Sequence, residues 1–474
     1  MNKEEFSKLL NEWTEAHKEE MIEELGKWIA HPSVSRADLA APGAPYGPDC
    51  REMLDFALER GRAYGFRTED HEGYCGSIIY GDSKDEIGFA CHLDVVPEGD
   101  HWIYEPYSMK REGDWLIGRG VGDDKGPTIA CLFLMRFFKE NNIPLKHTLR
   151  LMAGCAEETG MADFKWYVED YKGVVPEFSI VADCGFPVCF AQKGGFDGSY
   201  RFTAGKNIVE VFAGNVRNAI PDEAWAVING ISAEKCSGLL QSFADVKVEE
   251  CGENIKVSAY GKGGHAASPD GKKNALVYLA QALTRLEDMT GLDLAGMRFI
   301  ADSFCSPYGE GCGIDHTDEK IGRLTINSGV IRKVGDEHQL EIDIRFPHSC
   351  NSDELKAKLT AQGEKYGAKL VYTNISKPYY IDPEDKKVIA LLDAYKELTG
   401  DADAKPYSTG GGTYSRVIPN AMSFGPGFPK GAKPDFLPEG HGGAHGPDEV
   451  NNINDWLTAF RIYVQSVYSL DGIM

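Results

Sequence analysis

No Cys-x-x-Cys pair occurs in this chain, although it holds 12 cysteines. Several of them (Cys91, Cys131, Cys155) sit in apolar runs, so the pattern speaks for buried reduced thiols and against a disulfide framework or a thiolate zinc site. Basic residues are scarce: 50 Lys and Arg stand against 73 Asp and Glu, a net charge of −23. That balance excludes the clustered cations on which binding to nucleic acid or an anionic membrane depends. No apolar run is long enough to span a bilayer, and the charged opening segment has no signal-type core, so a cytoplasmic location is expected. Repeats, low-complexity tracts and charged tails are also missing.

A chain of 474 residues exceeds what one growing core usually serves, so two domains are expected. Helical spacing of apolar residues predicts one or two helices before Pro32, then helices over residues 49–64, 126–139 and 161–168. Strands are predicted over residues 87–91, 148–153 and 178–182, and their alternation with helices implies an α/β fold with a mostly parallel central sheet covered by helices. From about Phe190 the texture becomes α+β. After about Pro378 it returns to helix-rich segments and ends in a helix expected over residues 449–467. The expected domains are therefore 1–189, an insertion over 190–377, and 378–474.

The charged motifs fall at the expected carboxyl ends of strands, where ligands bind in such sheets. His92 and Asp94 follow the first, two positions apart, so Asp94 can reach a ring nitrogen of His92 and fix its tautomer. Asp123 and Asp124 stand at a helix start, where the dipole favours carboxylates. Glu157 and Glu158 share a turn, in which one acid can bind metal while its neighbour points at a water. Asp183 closes an apolar strand, and His445 precedes the final helix, with His441 nearby as a lesser candidate. Singly, each has an ordinary reading as a cap, a turn residue or a solvated acid. Together they form a nitrogen and oxygen donor set suited to zinc, with cobalt or manganese as alternatives.

Taken in order, these stretches resemble the M20 metallopeptidases over nearly the whole length, closest to the PepV-like dipeptidases related to carnosinase and the Xaa-His dipeptidases. The resemblance implies two Zn2+ per chain: His92 and Asp183 on one, Glu158 and His445 on the other, and Asp123 bridging. It implies Glu157 as general base toward a metal-bridging water, and Asp94 as the residue orienting His92. It makes the insertion a lid, in which His265 stabilises an oxyanion while Asn218 and Arg345 grip the substrate. Gly411, Gly412 and Thr413 match a substrate loop. The implied activity is hydrolysis of dipeptides, with cleavage of N-acyl amino acids as the alternative and a non-catalytic metal- or peptide-binding protein as the remote one. A lid of about this length implies a monomer, since it resembles the enlarged lid that supplies in one chain what dimers take from a neighbour. Ala156, Ala182 and the Ala191–Gly194 stretch depart from the family pattern, which bears on specificity and metal affinity and removes no ligand.

Overall fold

A computed structural model describes residues 2–429, 431 and 434–474. The chain divides into two compact units. One holds Met1–Ala191, Ile381–Ser408 and Gly412–Met474; the other holds Gln192–Tyr380 with Thr409–Gly411.

The first unit opens with a single helix, α1 (Lys3–Ile29). Asn2 caps it reciprocally with Glu5, and Phe6, Leu10, Leu25 and Trp28 form its buried stripe. No breaker interrupts that stripe, which is why one helix forms. Helix α2 (Pro48–Ala63) begins at a proline, whose missing N–H costs nothing in a first turn. There follow strands β1 (Arg67–His71), β2 (Cys75–Tyr80), β3 (Glu86–His92), β4 (Lys110–Glu112) and β5 (Trp115–Ile117), helix α3 (Lys125–Glu140), and strands β6 (Thr148–Gly154) and β7 (Phe178–Val181).

The central sheet runs β1-β2-β6-β3-β7, then Ala421–Ser423 and Cys189–Gln192. It is parallel in the middle, β6 and β7 flanking β3, and antiparallel towards both ends, where β2 meets β6 and Ser423 meets Cys189. The sheet is thus mixed, because β1 and β2 join by a tight antiparallel turn that needs no crossover helix. Every residue of β3, β6 and β7 is buried, as strands covered on both faces must be. Helix α3 is buried along almost its whole length.

Two helix expectations change. The segment after Met161 is helical only over Ala162–Trp166 before a wider turn at Tyr167–Tyr171. The final helix starts at Ile453, because Val450–Asn452 pairs with β5 and Asn452 then caps the helix through Asn454 N and Asp455 N. No helix among the described residues is long and apolar enough to cross a membrane.

The second unit has its own core under an eight-stranded antiparallel sheet. Its order is Val246–Cys251, Asn254–Tyr260, Glu223–Ile228, Ile208–Ala213, Thr325–Val334, Glu337–Phe346, Gly194–Phe202 and Lys369–Ser376. Helices Ala275–Thr290, Ala295–Ser303 and Ser352–Glu364 contribute their apolar sides to that core.

Candidate metal centre

Three parallel strands end together, and each delivers a charged side chain. β3 ends on His92, β6 leads into Glu157 and Glu158, and β7 is followed by Asp183. Asp123 comes from the turn before α3, and His445 from the loop before Val450.

The ring of His92 is oriented by its backbone neighbour. Its Nδ1 lies 2.8 Å from the carbonyl oxygen of Asp94, which can only accept, so Nδ1 carries the proton. Nε2 then faces Asp123 Oδ1 at 3.0 Å, the side on which a cation can take the place of a proton. The other Asp123 oxygen lies 3.1 Å from His445 Nε2, which is also 2.9 Å from Glu158 Oε1. Two overlapping groups bring donor atoms within 4.8 Å of one another, His92 with Asp123 and Glu158, and His92 with Glu157 and Asp183; each could hold an ion, and both draw on His92. At zinc–ligand distances of about 2.0–2.1 Å, tetrahedral donors sit roughly 3.3 Å apart, close to the separations found here. The set is all nitrogen and oxygen, which fits zinc and also manganese or cobalt.

Electrostatics favour cations at this place. Burial pushes the Glu157 carboxyl up to about 8 and holds Asp183 well above the usual carboxylate range, with Asp123 and Glu157 adding repulsion at Asp183. Burial works against charge on His92, yet its contacts to Asp123 and Asp94 outweigh that and hold it well above an ordinary imidazole. Hydrogen bonding to Asp123 and then Glu158 raises His445 to about 10. Glu157 and Asp183 thus retain protons and the two histidines gain them, while their bonds hold the Asp123 carboxyl below the usual carboxylate range; incoming cations can take the place of those protons.

Asp94 departs from its expected contact. Its carboxylate is 3.5 Å from His92 Nδ1, whereas its two oxygens accept the backbone N–H groups of Glu157 and Glu158, each at 3.1 Å. The side chain therefore aims the Glu pair, while its backbone orients the histidine. Asp124, which the family pattern left without a role, accepts the N–H of His92 at 3.0 Å and is fully buried.

The sequence reading missed Asp163. Buried in the short helix after the Glu turn, it accepts Cys155 N at 2.7 Å, Ala156 N at 2.9 Å and the Tyr414 hydroxyl at 2.6 Å. A Cβ at Gly154 would collide with that hydroxyl and that carboxylate, so only glycine permits the approach. Nothing local marks Asp163 in the sequence, since Tyr414 lies 251 residues away. His441 pairs with Asp448 at 2.6 Å; neither it nor His445 belongs to either donor group, and His445 reaches the centre through Asp123 and Glu158 alone.

Other expected residues lie in the second unit. Ala219 pairs with His265 across two short strands, and Ala266 N donates to Asn218 O at 2.8 Å, so Asn218 and His265 are neighbours, both exposed. Arg345 is not a free fork: Nε and Nη2 bind Asp343 at 3.0 and 2.7 Å, and Nη1 reaches Gly410 O at 3.3 Å. Gly411 N donates to Thr409 Oγ1 at 3.2 Å. In the first unit a Cβ at Gly412 would collide with the Arg416 guanidinium, and the buried Thr413 hydroxyl bonds Ser423 at 2.8 Å, which turns it inward.

The profile of peptidase family M20/M25/M40 matches residues 88–469. The chain is 33% identical over 473 residues to "Putative dipeptidase YtjP" of Bacillus subtilis, covering 96% of this chain and 97% of that one. It is 29% identical to "Putative dipeptidase SSP1012" of Staphylococcus saprophyticus, covering 95% and 97%. Its fold is similar to human carnosine dipeptidase 1, with TM-score 0.56 at 14% identity over 98% and 99% of the two chains. It is also similar to aminoacylhistidine dipeptidase from Vibrio alginolyticus, with TM-score 0.54 at 14% identity over 94% and 96%. A match over most of the length, on a scaffold that gathers histidines and carboxylates at one sheet edge, means that the chain belongs to peptidase family M20/M25/M40 and is a metallopeptidase.

Proposed function

We propose that this chain is a dipeptidase that hydrolyses the peptide bond of dipeptides with two zinc ions. His92 and Asp183 would hold one, Glu158 and His445 the other, and Asp123 both. One observation carries the reading: the two oxygens of Asp123 each face a different histidine nitrogen, at 3.0 and 3.1 Å. The relatives named as dipeptidases support the choice of substrate class.

Bound divalent ions in such a donor set act as Lewis acids toward a carbonyl oxygen and bring the pKa of water towards neutrality. The chain's own part is proton handling and positioning. The Glu157 carboxylate is nearly buried, and burial raises its basicity. It is suited to take a proton from the attacking water and give it to the leaving amine. Asp94 fixes the backbone beneath it. Asn218, His265 and Arg345 are assigned to substrate binding and oxyanion stabilisation; for Arg345 that requires a substrate carboxylate to share or displace Asp343.

Amine release should be followed for metal-stripped protein, then after zinc or manganese is restored, with dipeptides, tripeptides and N-acyl amino acids as substrates. Metal-dependent cleavage confined mainly to dipeptides is expected. Cleavage of acylated amino acids alone would move the activity to an amidohydrolase, and none with any metal would refute catalysis.

A further inference from the structure

The turn that carries Asp123 has glycine at 118, 120 and 122, and a backbone so free does not hold a side chain in place unaided. It is held instead by a residue four positions after His445. The Glu449 side chain is 1% exposed. Its Oε2 accepts from Arg119 Nη1 at 2.8 Å and Gly120 N at 3.1 Å, and its Oε1 from Gly122 N at 2.9 Å and Asp123 N at 3.0 Å. Its backbone oxygen accepts from Gly118 N at 3.0 Å. Asn451 adds a bond from Nδ2 to Val121 O at 2.7 Å. Four donors converge on one carboxylate, so a neutral amide would turn an NH2 towards some of them.

We propose that Glu449 is a positioning residue for this centre: its carboxylate clamps the Gly118–Asp123 turn to the segment that bears His445, so that Asp123 faces His92 and His445 together. This rests on the two-ion reading above. The clamp joins both sides of the centre through one side chain, and its loss should loosen Asp123 without removing any donor.

The test is zinc binding to metal-stripped full-length protein, followed by competition with a chromophoric chelator and, with cobalt, by the visible spectrum. The variants are Glu449→Gln and Glu449→Asp, the latter keeping the charge but one methylene too short to reach all four donors. The control is Glu86→Gln, which disrupts a buried pair with Arg150 (2.6 Å) at the opposite end of β3. With the far-UV spectrum unchanged, each Glu449 variant should bind at least one ion roughly 10–100-fold more weakly and give an altered cobalt spectrum. The control should match wild type. Should Glu449→Gln fail to fold, Glu449→Asp decides. Wild-type affinity for both ions in a folded Glu449 variant would overturn the proposal, whereas wild-type protein that takes up no metal would overturn the two-ion reading instead.

Discussion

The Asp94 carboxylate accepts the backbone N–H of Glu157 at 3.1 Å, across 63 residues of chain, and its second oxygen takes Glu158 N. One fully buried acid at the end of β3 thus sets the direction of the Glu pair at the end of β6. Asp94→Asn replaces one acceptor by an NH2 facing an N–H. The expected result is a fall in kcat/KM of roughly 10–100-fold with an unchanged far-UV spectrum, checked by steady-state kinetics on a dipeptide.

Glu157→Ala removes the proposed base and none of the assigned metal ligands. Turnover should drop by roughly 10²–10⁴-fold, while elemental analysis finds the same metal content as wild type. Near wild-type turnover would sink the role.

Metal uptake should release protons. In stripped protein His445 is raised to about 10 and Glu157 to about 8, so at neutral pH both hold protons that incoming cations must displace. Affinity should therefore rise with pH. Calorimetric titration at pH 7 in buffers of different ionisation enthalpy should give net release of at least one proton per chain.

His338 makes the second unit sensitive to acid. It is 3% exposed, both ring nitrogens lack partners among the described residues, and burial pushes it down to about 4. Against an unfolded value of about 6.5, the unfolded chain binds more protons between these limits. Stability is then lost as pH falls from about 6.5 to 4, by at most about 3 kcal/mol. Thermal unfolding at several pH values should show a smaller acid effect in His338→Leu.

Much of this was legible in the sequence where the signal is local. The runs ending in His92 and Asp183 read as buried strands meeting polar residues, and the 3.6-residue spacing located α1, α2 and α3. What stayed hidden depends on partners far along the chain. Strand direction is one case, since β2 pairs antiparallel with β6, which follows it only after three further strands and α3. The bond from Asp163 to Tyr414 is another, because a lone acid beside apolar residues looks the same whether it caps a turn or anchors a site. Thr413 resembled a substrate residue by motif, but packing against Ser423 turned it inward.

The central claim is that Asp123 serves two ions at once, and metal stoichiometry tests it most directly. Equilibrium dialysis against zinc, with dipeptide hydrolysis measured on the same samples, should give two ions per wild-type chain. Asp123→Ala should hold at most one ion and hydrolyse at least about 100-fold more slowly. An Asp123→Ala protein that keeps two ions and its activity would contradict the account.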